Sequence, residues 1–383
     1  MIPRICPVLG WAEVAAALHW PTGDDVAVYE QAFAKCMRQR HAIAFPYGRT
    51  ALTIALRALL GSGREVICPA YTCVVVAHAI VASGNIPVFI DSGADDFNMD
   101  LAAAEAAITT RTGAIIATSL FGHPVDLDRC EALRRANPGV VLIQDCAHSF
   151  DAAWRGLAVQ QAGDLAIFGL NISKLLTSIF GGMLTTDDDD LAAILRRARD
   201  HELRAATVGK GLRRAAYLAA ILPAFLPWPY ALVARLKDWG LLDRFVRYYR
   251  PDIIDMPADY LEAMNPIEAR VGTAQLRRHG AILTARRRRA TQWHSRLAAE
   301  AGLLRLPPLE DGATWSHFTC VVDDREAWIT RWRARGIELG TLIEYSIPEL
   351  PAYGGQSPQH MPNAARYARH TVNFPLTSDL PDV

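Results

Sequence analysis

An excess of charge of either sign is missing from this chain. Forty lysines and arginines face forty aspartates and glutamates, for a formal net charge of +0 at pH 7. The overall balance therefore carries no nucleic-acid footprint. Paired cysteine spacing is missing too. Cys6, Cys36, Cys68, Cys73, Cys130, Cys146 and Cys320 are scattered and odd in number, with no CxxC pair and no zinc-type Cys/His spacing. Thiols so placed argue against a disulfide framework or a metal centre and for a reducing, cytoplasmic setting. The N-terminal stretch "MIPRICPVLGWAEVAAALHW" has no continuous apolar core followed by a cleavage site. No signal peptide is expected from it.

Apolar residues, in contrast, are plentiful. With 383 residues, 51% hydrophobic and 21% charged, the chain can bury a large core, and its length suggests one large domain plus a smaller one. The densest basic run, Arg286–Arg289, lies in "AQLRRHGAILTARRRRATQWHSRLAAE". Its helical periodicity reads as a solvated helix face rather than a binding patch.

From 41 to 187, short β-prone runs recur: "HAIAFP" (41–46), "EVICPA" (65–70), "IPVFID" (86–91), "GAIIATSLFG" (113–122), "VVLIQDC" (140–146), "LAIFGL" (165–170) and "GGMLTTD" (181–187). Between several of them lie "TALTIALRALLG", "VVVAHAIVASG", "LAAAEAAI" and "DLDRCEALRRAN", apolar at helical spacing. This alternation predicts an α/β fold with a mostly parallel seven-stranded sheet covered on both faces. The last two runs follow each other without a helix, a departure from simple winding. In such sheets ligands gather at the carboxyl ends of the strands.

Three strand ends carry candidate chemistry. "YGRTAL" places Gly48, Arg49 and Thr50 where a strand turns into a helix, and N–H groups at a helix start can hold a phosphate. Asp145 ends the fifth run in "LIQDCAHS", and could be a cap or a functional carboxylate. Lys174 follows the sixth run in "NISKLLTSIFGG", where little local polar surface would solvate an ammonium. Phosphate cradle, carboxylate and lysine at one sheet edge are the groups that pyridoxal 5'-phosphate needs. They hold its phosphate, its pyridine nitrogen and, through a Schiff base, its aldehyde. Desolvation would supply the neutral amine by lowering the lysine pKa.

With these blocks in place, the sequence resembles the DegT/DnrJ/StrS family of fold-type I, pyridoxal-phosphate-dependent sugar aminotransferases. The resemblance runs from about residue 8 to the C-terminus and adds "EVICPAYTCVVVAHAIVASGNIPVFID", "FNMDLAAAEAAITTRTGAIIATSLFGHPVDLD", "IQDCAHSFDAAWRG", "EARVGTAQLRRHGAILTARRRRA" and "TVNFPLTSDLPD". It implies Lys174 as the Schiff-base lysine and proton shuttle, Asp145 on the pyridine nitrogen, and His148 near the ring hydroxyl. Gly48, Arg49 and Thr50 match the phosphate loop that usually reads Gly-Thr-Ala. The family's dehydratase relatives carry histidine where this chain keeps Lys174, so transamination is implied. The expected reaction moves an amino group, with glutamate as donor, to a keto or aldehyde carbon of a nucleotide-linked sugar. A homodimer is implied, as is a place in polysaccharide or antibiotic-sugar biosynthesis.

The departures from the family's pattern cluster at the cofactor. Cys73 stands where an aromatic usually covers the ring, leaving Tyr71 as a candidate to take over. Gly169 stands where a serine usually contacts phosphate, leaving Asn171 or Ser173 to substitute. The second-subunit motif Asn-Tyr-Arg-Met is replaced by "LEAMNPIEA", with Leu261 at the asparagine position and Asn265 out of register. These departures keep two alternatives open: dehydration or deamination on the same scaffold, and a catalytically silent binding or regulatory homologue.

An apolar insert at 205–258 separates a large domain (26–204) from a smaller C-terminal α/β domain (259–383), after an N-terminal segment (1–25). From Tyr217 to Ala234 it has no charge, approaching the length of a bilayer span. Pro223, Pro227 and Pro229 would break a continuous helix there. A packed element at a dimer interface or over the active site is the first reading. A peripheral membrane contact through 213–237, flanked by Arg213, Arg214, Arg235 and Lys237 and serving a lipid-linked substrate, is the second. His123 reads as a structural histidine or substrate-edge contact, Cys146 as core, and Trp328, Trp332 and Tyr345 as core of the small domain. His317 and His370 receive no role.

Overall fold

The computed structural model describes residues 1–4, 8–19, 21–224, 230, 250–355, 357 and 360–376. Helices α1 (Trp11–Leu18) and α2 (Asp25–Cys36) lead into β1 (His41–Phe45), α3 (Gly48–Leu60), β2 (Glu65–Pro69), α4 (Val75–Ala82) and β3 (Ile86–Ile90). There follow α5 (Leu101–Ala106), β4 (Thr112–Thr118), α6 (Leu127–Ala136) and β5 (Val141–Asp145). A small hairpin, β6 (Ala153–Trp154) and β7 (Leu157–Ala158), precedes β8 (Leu165–Gly169), β9 (Gly182–Thr186) and α7 (Asp189–Glu202).

The seven runs singled out in the sequence form one sheet, in the order β1-β9-β8-β5-β4-β2-β3. Pairing is parallel from β3 through β2, β4 and β5 to β8, whereas β9 is antiparallel to both neighbours. The reason for the reversal lies in the link. A parallel pair needs a crossover, usually a helix, and the chain from 170 to 181 is spent on a tight loop around Lys174.

Strand residues alternate between two apolar layers. Ile43, Phe45, Val66, Cys68, Ala114, Ile116, Leu165 and Ile167 pack against α3, α4 and α7. Ala42, Ala44, Ile67, Ile115, Ala117, Ala166 and Phe168 pack against α2, α5 and α6. Burial of both faces explains why the strands read as near-continuous apolar runs.

Beyond the sheet come α8 (Val208–Ala224), α9 (Pro266–Leu276), α10 (His279–Leu297), β10 (Leu303–Arg305), β11 (Phe318–Val322), α11 (Arg325–Ala334), α12 (Pro362–His370) and β12 (Thr371–Phe374). The antiparallel sheet β10-β11-β12 backs onto a core containing Trp293, Trp328 and Trp332. Tyr345 does not belong to that core. It lies between the two sheets with Tyr71, Phe121 and Tyr367, and its hydroxyl accepts from Val74 N at 2.9 Å.

Two sequence expectations about charge are corrected. Arg286 and Arg287 are not simply solvated: they donate to the Trp315, Ser316 and Ala313 carbonyls and fasten the turn before β11 onto α10. Arg214, read as a membrane-flanking charge, is buried (7% exposed) and faces the large sheet, because α8 packs Leu218 and Tyr217 against Ile179 and Phe180. No helix among the described residues is long and apolar enough to cross a membrane. Residues 225–229 and 231–249 of the insert, with Pro227, Pro229, Arg235 and Lys237, lie outside the described residues.

Gly182 is where the fold admits no side chain. It pairs with Phe45 on one side and Gly169 on the other. A Cβ there would overlap Gly48 N and the Tyr47 carbonyl. Gly182→Ala is therefore expected to cost roughly 2–4 kcal/mol, at the upper end of overpacking, read from the denaturant midpoint at unchanged slope. A loss below about 0.5 kcal/mol would show that the turn is slack.

Candidate active site

The carboxyl ends of β4, β5 and β8 and the start of α3 meet at one edge of the large sheet. Asp145 closes β5 and is 5% exposed. Its Oδ1 accepts from Ala147 N at 3.0 Å and its Oδ2 from the Thr118 hydroxyl at 3.2 Å, which fixes the carboxylate plane. Burial raises its pKa, opposed by the Ala147 N–H, Lys174 and Thr118. A buried carboxylate of this kind favours a cationic N–H partner.

Lys174 sits in the loop between β8 and β9. The loop closes on itself through Ser178 N and Thr177 Oγ1, both bonded to the Leu170 carbonyl, and through Leu170 N to Gly181 O. Lys174 N donates to Asn171 O at 3.0 Å. The side chain keeps some accessible surface, yet protein surrounds its amine. Desolvation lowers its pKa, with Cys73 and Asp145 pulling the other way. Its neutral, nucleophilic form is thus reached below the ordinary lysine range. Capture of pyridoxal phosphate, followed by stopped-flow absorbance, should accelerate with pH and level off at a midpoint below 10.5. A midpoint at or above that value would contradict the desolvated amine.

His148 is 4% exposed and stacks on Phe121, with ring centroids 5.9 Å apart and planes 18° from parallel. Its Nδ1 accepts from Phe121 N at 3.4 Å, which leaves Nε2 as the donor. Burial, then the charges of Lys174 and His317, push its pKa well down, so it stays neutral.

At the start of α3, Gly48 approaches β8 so closely that a Cβ would stand 3.2 Å from Gly169 Cα and 3.3 Å from the Phe168 carbonyl. Two glycines facing each other leave a backbone cradle at a helix N-terminus. Arg49 is half-buried beside it and has no carboxylate partner among the described residues. The donor set therefore fits a phosphate, and with Lys174 and Asp145 it fits pyridoxal phosphate as a whole.

Other expected ligands are placed differently. The Thr50 hydroxyl is fully buried and donates to Tyr260 O at 3.0 Å, so only the backbone of Thr50 is left for an anion. Tyr71 does not present a face to the cleft. It has no exposed surface, packs with Phe97, Phe121 and Tyr367, and bonds Thr371 Oγ1 at 3.0 Å. Cys73 is half-buried and contributes to the electrostatic environment of the Lys174 amine. Ser173 Oγ donates to Asn171 Oδ1 at 2.7 Å, and Asn265 caps α9 by accepting from Ile267 N. Cys146 is buried with its pKa raised well above the thiol range by desolvation, which makes it inert core. His123 packs edge-on against Trp315 with Nδ1 3.4 Å from Glu310 Oε2.

One site residue went unassigned in the sequence. His317 lies 5.1 Å, centroid to centroid, from His148, and its pKa is driven well down by burial, then by Lys174 and Arg286. It arrives there because Thr314 N bonds Gly122 O and His317 N bonds Phe121 O. Gly122 makes this possible: at φ +94, a Cβ would fall on Trp315 N. The only sequence trace is a glycine in "LFGHP", which names no partner.

A desolvated lysine and a buried carboxylate at the sheet edge where the phosphate cradle lies fit a pyridoxal-phosphate enzyme. Comparison with known proteins narrows the class. The sequence matches the DegT/DnrJ/EryC1/StrS aminotransferase family over residues 11–224 and 232–382, and the chain belongs to that family. It is 41% identical over 179 residues to the GDP-perosamine synthase of Caulobacter vibrioides, spanning 46% of this chain and about half (48%) of that protein. It is 30% identical over 347 residues to the UDP-N-acetyl-3-dehydro-alpha-D-glucosamine 3-aminotransferase of Acidithiobacillus ferrooxidans, covering 89% of this chain and 80% of that one. In fold it is similar to the putative sugar aminotransferase Spr1654 of Streptococcus pneumoniae in its PMP form. The TM-score is 0.78 at 21% identity, over 100% of this chain and 94% of the other.

Proposed function

We propose that this chain is the pyridoxal-phosphate-dependent aminotransferase that places an amino group, drawn from glutamate, on a keto or aldehyde carbon of a nucleotide-linked sugar. The observation that carries the reading is the position of Lys174 in the β8–β9 loop, with its side chain beside Gly169, at the same sheet edge as the buried Asp145 and the start of α3. Relatives named for GDP- and UDP-linked sugars support the substrate class.

When bound, pyridoxal phosphate supplies an electron sink for charge at the substrate carbon. Lys174 would hold it through Nζ and would move a proton at that same atom. Asp145 keeps negative charge where a ring N–H would sit. His148 offers its Nε2–H, and the amides of Gly48, Arg49 and Thr50, with the Arg49 guanidinium, take the phosphate charge. Cys73 and Ser173 would complete the lining of the cofactor site. A homodimer, and the division into a large domain (26–204) and a small one (259–383) around the insert, complete the proposal.

The chain has four lysines, Lys35, Lys174, Lys210 and Lys237, so attachment is easy to map. After incubation with pyridoxal phosphate and borohydride, the cofactor mass should appear on the Lys174 peptide. With glutamate and a GDP- or UDP-linked keto sugar, 2-oxoglutarate and amino sugar should form in equal amounts. Labelling elsewhere, or no label, would sink the cofactor reading. Label without glutamate turnover across both nucleotide classes would sink the acceptor.

A further inference from the structure

The insert helix α8 sends one side chain into the phosphate cradle's own scaffolding. Arg214 Nη2 donates to the Tyr47 hydroxyl and to Asp259 Oδ2, each at 2.8 Å, and its Nε donates to Glu268 Oε1 at 2.7 Å. The guanidinium lies 4.3 Å from the Phe180 ring centroid. Tyr47 is the residue immediately before Gly48 and forms the N-cap position of α3. Its own hydroxyl donates to Asp259 Oδ1 at 2.6 Å.

One turn further, Thr50 is tied to the carbonyl of Tyr260. Lys210, also on α8 and fully buried, donates to the carbonyls of Glu262 and Ala263 at 2.8 and 2.9 Å. The segment 259–263 is thus held from α8 on one side and from the first turn of α3 on the other. Arg214 itself touches Tyr47, Asp259, α9 through Glu268, and the loop behind Lys174 through Phe180.

Arg214 and Lys210 balance Asp259 and Glu268, so this buried group adds no net charge that could draw an anion from a distance. Its effect on the cradle must be positional. The opposite side of the turn is already closed, since β9 passes under Tyr47 and Gly48 with only Gly182 between. Orientation of the amides at Gly48, Arg49 and Thr50 therefore rests on the Tyr47 side.

We propose that Arg214 is a positioning residue that sets the anion-binding turn Tyr47–Gly48–Arg49 for the cofactor phosphate, so that the insert is part of the cofactor site rather than an appendage. The inference rests on the cofactor reading above. A planar fork with three directed donors suits the role, and a lysine cannot reproduce it. Helix N-terminal amides bind anions only when aimed.

The test is titration of the apoprotein with pyridoxal phosphate and, separately, with pyridoxal, which lacks the phosphate. Tyr47→Phe, which alters no charge, should weaken pyridoxal phosphate about three- to tenfold and leave pyridoxal within twofold of wild type. Arg214→Ala should weaken pyridoxal phosphate about tenfold or more, which is ~1.4 kcal/mol. Arg214→Lys should recover less than half of that loss on a logarithmic scale. Should Arg214→Ala fail to fold, Tyr47→Phe carries the test alone. A merely structural role would lower the unfolding temperature and leave the ratio of the two affinities untouched. That result, or equal losses for both ligands, overturns the proposal. Failure of the wild-type protein to capture pyridoxal phosphate is a different result, and it removes the cofactor reading itself.

Discussion

Replacing Lys174 by alanine is expected to cut turnover by on the order of 10⁴-fold or more, because one side chain performs two tasks. In the proposed reaction it would supply the amine that holds the cofactor, and it would carry the proton at the reacting carbon. His148 and His317 are neutral at pH 7 but burial opposes their taking up a proton, since both pKa values lie well below the ordinary histidine value. Lys210, the other deeply buried lysine among the described residues, is committed to two carbonyls of the 262–263 segment. The substitution should not harm folding: it removes an amine whose pKa burial already lowers, and so a desolvation cost. Thermal unfolding should stay within a few degrees of wild type or rise, while borohydride leaves the cofactor unattached. Residual turnover above about one per cent, with no small amine added, would place the nucleophile elsewhere.

Asp145→Asn should lower kcat by roughly 10²–10³, the range for removing one aligned electrostatic partner from a site shielded from water. The amide preserves shape, and its oxygen can still accept from Ala147 N or Thr118 Oγ1. What goes is the negative charge. That charge also opposes the desolvation of Lys174, so the variant carries a second signature. The pH midpoint for cofactor capture should move further down, because Lys174 loses a neighbour that favours its ammonium form. Asp145→Ala would differ, leaving the Ala147 N–H and the Thr118 hydroxyl without an acceptor, at about 1–3 kcal/mol of stability. A normal kcat in Asp145→Asn, or an upward shift of the midpoint, would deny the carboxylate its role.

The two variants also show how unevenly the site was written in the sequence. Lys174 and Asp145 stood out because an ionisable group ending a buried apolar run is costly and needs a reason. The seven strands stood out because a sheet covered on both faces imposes continuous apolar runs. The pairing of β1 with β9 did not, since it joins residues far apart in sequence and depends on which edge remained open. Direction of side chains was equally hidden. Thr50 and Tyr71 are of the right type and in the right place, yet one hydroxyl turns to Tyr260 and one ring is sealed between the two sheets.

Arg214 makes the same point in reverse. In sequence it is one of several charges beside an apolar stretch, and charges there read as a boundary with water or lipid. Burial with Glu268, Asp259 and Tyr47 turns it into part of a junction.

Local chemistry alone determined the strand runs, the glycine turn before α3, and the lysine and carboxylate at strand ends, because each is enforced by residues adjacent in the chain. The tertiary structure alone decided that His317 meets His148, that Arg214 braces Tyr47, and that Gly182 must stay bare. Each of these depends on segments distant in sequence approaching within a few ångströms, and close packing sets such distances while residue type does not.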